Sequence, residues 1–191
     1  VSAGVPSPRI VAPFEKLLLI GCGGAGKSTL ARRIAERTGL PPIHLDALYW
    51  APGWQAMPRA QWHGLVKDLL RRPAWIMDGN YGDTLALRLA ACDAVVFLDV
   101  APWRCLLRVV ARRLRFHGRR RPDMGPGCNE RLEMAFVWYV LAYRRTRRPG
   151  ILIRLDAACG QGKAVFVLRT GQDIASFLRG LQAQVSQASG T

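Results

Sequence analysis

Lysine is almost missing from this chain: among 191 residues, only Lys16, Lys27, Lys67 and Lys163 accompany 24 arginines. Acidic side chains are also scarce, 13 against 28 Lys and Arg, which leaves a net charge of +15. Such a field draws in phosphates, nucleic acids and other anions. Cysteine is sparse and unpatterned. Cys22, Cys92, Cys105, Cys128 and Cys159 include no C-x-x-C pair; this excludes a disulfide framework and a structural zinc site, and reads as reduced, mostly core-filling thiols of a cytoplasmic protein. The three histidines stand at no ligand spacing from one another or from a cysteine. His44, in an apolar stretch, reads as a core histidine rather than a metal ligand. Long hydrophobic runs are missing as well. The longest, such as Ala94-Val95-Val96-Phe97-Leu98, are far too short to span a bilayer, so no membrane partner is expected. Residues 1–13 lack the basic start and apolar middle of a signal peptide and read as a flexible leader, and residues 186–191 as a flexible tail.

What is present is alternation. Strand and helix signals succeed one another between 14 and 185, which predicts a single α/β domain with a parallel five-stranded sheet between helical layers. Strands are expected at Lys16–Ile20, Ile43–Leu45, Trp75–Met77, Ala94–Leu98 and Ala164–Leu168. Helices are expected at Lys27–Thr38, Arg59–Arg71, Leu85–Ala91, Trp103–Phe116, Asn129–Arg147 and Gln172–Gln184, while Gly150–Ala158 reads as helix or strand. Pro52-Gly53-Trp54 reads as a turn and His117–Cys128 as a loop. In Trp103–Phe116 the binary pattern puts Leu106, Leu107, Val110 and Leu114 inward and the arginines outward.

Gly21-Cys22-Gly23-Gly24-Ala25-Gly26-Lys27-Ser28-Thr29 lies between the first strand and the first helix, in register with G-x-x-x-x-G-K-[ST]. Glycines let backbone N–H groups curl around a phosphate chain, and the helix N-terminus adds partial positive charge. Lys27 then reaches the β- and γ-phosphates, and the Ser28 hydroxyl holds Mg²⁺. Asp46, Asp78 and Asp99 each close a strand or follow one directly, which places all three on the same rim of a parallel sheet. The remaining signal is charge. Between Arg104 and Arg148 stand thirteen arginines against Asp123, Glu130 and Glu133, ten positive charges in excess. Arg104, Arg108 and Arg112, four apart, share a helix face.

These residues resemble the P-loop kinases of the adenylate kinase type. They resemble most closely the DNA topology modulation proteins, FlaR-like relatives of adenylate kinase. The resemblance runs from about Lys16 to Leu181. It rests on the glycine loop, on His44 to Trp50 with Pro52-Gly53-Trp54, on Trp75 to Tyr81, on Phe97-Leu98-Asp99, on Arg104 to Arg113, on Arg121-Pro122-Asp123, and on Glu130 with Trp138 and Tyr139. It implies a three-layer P-loop NTPase fold with a helical, arginine-rich lid over about 104–148, in which Arg108 and Arg112 clamp the transferring phosphoryl group. The pattern also departs from adenylate kinase. Asp78-Gly79-Asn80-Tyr81 is not followed by Pro-Arg, and the substrate-binding helical insert after the second strand is missing, which argues against AMP as acceptor.

The expectation is therefore an ATP-dependent kinase moving the γ-phosphoryl group of Mg-ATP to a small acceptor such as a nucleoside or nucleotide. ATP contacts fall to Gly21, Gly23, Gly24, Ala25, Gly26, Lys27, Ser28, Thr29 and Arg108. Ser28 and Asp78 serve Mg²⁺, or Asp78 activates the acceptor hydroxyl. Lys27, Asp78, Arg108 and Arg112 are the catalytic set. Asp46, Tyr81 and Arg88 position the acceptor, and Trp50 and Trp54 either stack on it or pack the turn. A nucleotide-regulated nucleic-acid binder acting on DNA topology is the alternative, carried by the arginine excess with Trp and Tyr interleaved nearby; an NTPase without a small acceptor is another.

Overall fold

The computed structural model describes residues 14–116, 127–128 and 133–188. The chain runs β1 (Lys16–Gly21), α1 (Lys27–Thr38), β2 (Pro42–His44), α2 (Leu45–Tyr49), β3 (Trp50–Ala51), β4 (Gln55–Ala56), α3 (Arg59–Leu70) and β5 (Trp75–Asp78). It continues through α4 (Leu85–Ala91), β6 (Ala94–Leu98), α5 (Pro102–Arg115), α6 (Met134–Thr146), α7 (Arg148–Gly160), β7 (Ala164–Leu168) and α8 (Gly171–Ala188).

Five strands pair in the order β2-β5-β1-β6-β7, every pair parallel, and helices flank the sheet. Their residues explain the architecture. Leu17 to Leu19, Trp75 to Met77 and Ala94 to Phe97 are wholly buried, the continuous apolar reading of strands covered on both faces. The connections leaving β1 and β5 run in opposite directions across the sheet, so the carboxyl end of β1 is a switch point where a crevice opens. Register places His44 beside Asp78, Asp78 beside Leu19 and Gly21 beside Leu98 on that rim. β3 and β4 form a separate small hairpin around the expected Pro52-Gly53-Trp54 turn.

Several expectations change. The segment after β2 is a short helix, α2, that starts at Leu45. The ambiguous stretch near Gly150 lies within α7, where Pro149 occupies the first turn that tolerates it. The long helix expected over 129–147 is described from Met134, and α8 runs past 186 to Ala188. On α5 the binary pattern holds for Leu106, which packs against the core, and fails for Leu107, Val110 and Leu114, which are exposed. Leu107 is 62 % exposed and Leu114 75 %, while Cys105 and Val109 are buried. The leader, the Arg121-Pro122-Asp123 run and Glu130 lie outside the described residues. Among the described residues, no helix is long and apolar enough to cross a membrane.

Candidate active site

A cavity of about 900 Å³ opens at the carboxyl ends of β1, β2 and β5, between the glycine loop, α5 and the β3–β4 hairpin. The loop is built locally. The Ala25 amide donates to the Cys22 carbonyl at 3.1 Å, and Gly26, at φ 99°, hands the chain into α1 without a side-chain cap. The first-turn N–H groups of α1 therefore keep their capacity for an anion. Gly24 has φ 81°, and a Cβ there would lie 2.5 Å from the Cys105 carbonyl oxygen. Only glycine lets α5 sit this close to the loop.

Lys27 Nζ donates to the Gly21 and Cys22 carbonyls at 2.9 and 3.1 Å, folded back along the loop it belongs to. Ser28 and Thr29 line the cavity, with Arg32 one helical turn beyond Ser28. Arg108 Nη1 donates to the Ala25 carbonyl at 3.0 Å, which ties α5 to the loop. Arg112 and Arg115 extend that basic wall, whereas Arg104 instead lies over the Trp103 ring at 5.0 Å and is absent from the lining. Arg108, Arg112 and Arg115 thus border the cavity, while Leu107 and Leu114 face solvent. Cys22 faces the other way, into the core. Its hydrogen bond with Cys105, and then burial, push its thiol far above the ordinary range, so it stays neutral.

The opposite wall carries the strand-end acids. Asp78, 3 % exposed, meets His44 Nδ1 at 3.1 Å through Oδ2. His44 is thus half-buried beside a cavity acid rather than a plain core residue. Asp46 accepts the Tyr81 hydroxyl through Oδ1 at 2.8 Å. Burial first, and then the Asp46 charge, raise the Tyr81 phenol far above its usual value, which keeps it a donor. Trp50 and Trp54 line the cavity from the hairpin, rings 5.6 Å apart and edge to face.

Four expected site residues stand elsewhere. Arg88 is wholly buried, donating to the carbonyls of Gly79 at 2.8 Å and Tyr81 at 2.6 Å and to Thr84 Oγ1 at 3.3 Å. Burial lowers its guanidinium to about 10, still charged at neutral pH, and none of it reaches the cavity. Asp99 receives Arg148 on both oxygens, at 2.8 and 2.9 Å, and Arg169 at 3.4 Å. It closes an ion-pair cluster rather than joining Asp46 and Asp78. Ala25 is fully buried, and its amide is already taken by Cys22. Gly21 shapes the loop without lining the cavity, and its amide donates to Asn80 Oδ1.

The cavity also holds residues to which the sequence assigned no site role: Asn80, Phe136, Tyr139, Arg32, Arg115 and Glu133. Asn80 carried a signal, its place directly after the strand-end Asp78-Gly79. Phe136 carried none; it covers Gly23, where a Cβ would lie 2.5 Å from its ring.

Hard oxygen donors from Ser28 and Asp78 beside a lysine suit Mg²⁺ held partly by phosphate oxygens. That division of ligands fits a site where, among the described residues, no three His, Cys, Asp or Glu side chains gather to hold a metal alone.

No family model and no curated protein matches the chain. Solved structures do. A shikimate kinase from Bacteroides thetaiotaomicron aligns at TM-score 0.52 and 18 % identity, over 91 % of this chain and 99 % of that one. A shikimate kinase from Acinetobacter baumannii, in complex with shikimate, aligns at 0.52 and 18 %, over 91 % and 94 %. A gluconokinase from Sinorhizobium meliloti 1021 aligns at 0.49 and 19 %, over 91 % and 92 %. The protein has the P-loop kinase fold, a five-stranded parallel sheet flanked by helices.

Proposed function

We propose that the protein is a phosphotransferase that moves the γ-phosphoryl group of Mg-ATP to a hydroxyl of a small acceptor. One observation carries the reading: a single cavity joins Lys27 and Ser28 to Asp46, Trp50, Trp54 and Tyr81. A phosphate donor at the loop and an acceptor at the hairpin would face each other across it. The shikimate kinases support a small-molecule kinase on this fold. Within that class, the glycine loop and the tryptophan-flanked segment favour an adenylate kinase-like relative of the DNA topology modulation group.

In this reading the α1 N-terminus, Lys27 and Arg108 bind the triphosphate, and Arg112 stabilises the charge that spreads over the transferring group. Mg²⁺, when bound through Ser28 and Asp78, supplies charge neutralisation at the phosphate oxygens. Asp46 Oδ2, which has no hydrogen-bond partner among the described residues, accepts the acceptor hydroxyl and takes its proton. The acceptor oxygen bonds to the γ-phosphorus as the bond to the bridging oxygen breaks, and ADP leaves with that electron pair. In this reading Arg108, Arg112 and Arg115 already have a phosphate partner in the cavity they line, which counts against the nucleic-acid alternative.

An acceptor screen with labelled ATP tests the proposal, with Lys27→Ala as control. Label transfer that falls by about a thousandfold in the variant, with little change in melting temperature, is expected. A rate unchanged by Lys27→Ala, or ATP hydrolysis that no acceptor accelerates, would overturn it.

A further inference from the structure

Of the glycines in the loop, Gly21, Gly24 and Gly26 have positive φ and Gly23 does not. The backbone at Gly23 therefore does not call for glycine, but its surroundings do. A Cβ there would lie 2.5 Å from Phe136 Cζ and 3.0 Å from Cε2. The loop carries no side chain at this point, and a ring from the first turn of α6 lies against its backbone instead.

That ring is held in place. Phe136 is half-buried and packs against the core. It stacks on Tyr139, with centroids 5.8 Å apart and planes at 27°, and Tyr139 meets Tyr143 edge to face at 5.7 Å. Both tyrosine hydroxyls accept hydrogen bonds from Asn80 Nδ2, and Asn80 Oδ1 accepts the Gly21 amide. Phe136 thus touches the loop at Gly23, while its stacking partner is tied through Asn80 to the same loop at Gly21.

Position decides what such a ring does. Phe136 and Tyr139 line the cavity that also holds Lys27, Ser28, Asp46 and Asp78. The amides of a loop of this type wrap phosphates, so the ring stands beside the place where the terminal phosphate would lie. A site that holds Mg-ATP next to a carboxylate base also activates water. The water oxygen would bond to the γ-phosphorus as the bond to the bridging oxygen breaks. ADP would leave with that electron pair, the water proton would pass to Asp46, and inorganic phosphate would be released. An ordered water needs several polar partners, and an aromatic ring offers only weak ones.

We infer that Phe136 shields the transferring phosphoryl group from water on the α6 side, and so favours an organic acceptor over hydrolysis. The inference rests on the kinase reading and deepens it. Phe136 does no chemistry itself. It fills with carbon the volume beside Gly23 that a water would take, and Tyr139 keeps it there.

A graded series on the full chain tests this: Phe136→Leu, Phe136→Val and Phe136→Ala, with phosphate release from Mg-ATP measured without any acceptor. Hydrolysis is expected to rise as the side chain shrinks, by at least ~10-fold for Phe136→Ala over wild type. Adding Lys27→Ala to Phe136→Ala should return the rate to background, which ties the gain to the loop. A merely structural ring would act the other way, because its loss would loosen the loop and lower hydrolysis together with melting temperature. If Phe136→Ala does not fold, the order of wild type, Leu and Val carries the test. A flat series, or hydrolysis that falls along it, would overturn the inference while leaving label transfer to an acceptor, and with it the kinase reading, intact. Hydrolysis that rises along the series while no acceptor takes label from ATP would sink the kinase reading and still support the shielding.

Discussion

The backbone N–H of Gly21 donates to Asn80 Oδ1 across 3.1 Å, and the far end of the same side chain donates to the hydroxyls of Tyr139 and Tyr143, at 2.9 and 3.3 Å. One amide thus fastens the entrance of the glycine loop to the end of β5 and to α6. Burial raises both phenols above their ordinary values, so they remain hydroxyls at working pH. Asn80→Leu would leave the Gly21 amide and two hydroxyls without this partner, at about 1–3 kcal/mol. The loop should loosen and the KM for ATP rise about tenfold for each 1.4 kcal/mol of lost binding. Asn80→Asp keeps an acceptor for Gly21 and can receive both phenols, so its KM should lie much closer to wild type. Steady-state kinetics with ATP varied, alongside thermal melts, separate the two variants; equal KM values would remove Asn80 from loop positioning.

Glycine 24 makes a second prediction, because its conformation and its surroundings can be separated. Gly24 and Gly39 both have positive φ, 81° and 72°. A Cβ on Gly39 meets nothing within 4 Å, whereas one on Gly24 would approach the Cys105 carbonyl at 2.5 Å and Val109 Cγ2 at 2.8 Å. Gly39→Ala should cost about 1–2 kcal/mol, the left-handed penalty alone. Gly24→Ala adds a clash against helix backbone, so it should destabilise further and displace Arg108 from Ala25. Urea denaturation ranks the pair, and a loss of ATP affinity is expected only in Gly24→Ala.

The parts of the site that were legible in the sequence are those that backbone chemistry determines over a few residues. Gly21 to Thr29 spells its own conformation, and the continuous apolar run of β6 announces a buried parallel strand. The orientation of α5 was not legible from periodicity, because its leucines and its arginines both recur at helical spacing; only the family resemblance brought Arg108 and Arg112 toward the phosphates. Binary patterning sends charge to solvent, but here the charged face borders a cavity, and tertiary context reverses the rule. Arg88 and Asp99 misled for a related reason. Each type and position suits a ligand site, and only the fold shows that carbonyls hold the first and that Arg148, 49 residues away in sequence, holds the second. The Asn80 network likewise joins residues 59 and 63 apart, beyond any local pattern.

At the other end of the chain, Asp173 gives a prediction in pH. Its Oδ2 accepts the amides of Arg169 at 2.8 Å and Thr170 at 3.0 Å, while Thr170 Oγ1 accepts the Asp173 amide at 3.1 Å. This reciprocal pair caps α8. The Arg169 amide, foremost, holds the carboxyl below its ordinary value of 3.8. The unfolded chain therefore binds a proton more readily than the folded one, and stability rises with pH through this window. The contribution is complete above the unfolded value and disappears as pH falls through the folded one. The gap in melting temperature between wild type and Asp173→Asn should accordingly shrink from about pH 5 down to about pH 2. A gap that stays constant would show that the cap does not act through ionised Asp173.

Arg88 separates a structural role from a substrate-binding one. An acceptor-binding arginine, when removed, raises the acceptor KM and leaves the fold alone. Arg88 instead braces the turn that carries Asn80 and Tyr81, through carbonyl contacts at 2.6 and 2.8 Å in a fully buried position. Arg88→Met preserves most of the side-chain volume but abandons two carbonyl oxygens, each costing about 1–3 kcal/mol when left unsatisfied. The expected result is a large fall in melting temperature. Tyr81 should lose its alignment with Asp46, so kcat should drop along with stability. Arg88→Lys keeps the charge but cannot span both carbonyls with a fork, and should recover stability only in part. A variant with wild-type melting behaviour and an elevated acceptor KM would return Arg88 to the cavity.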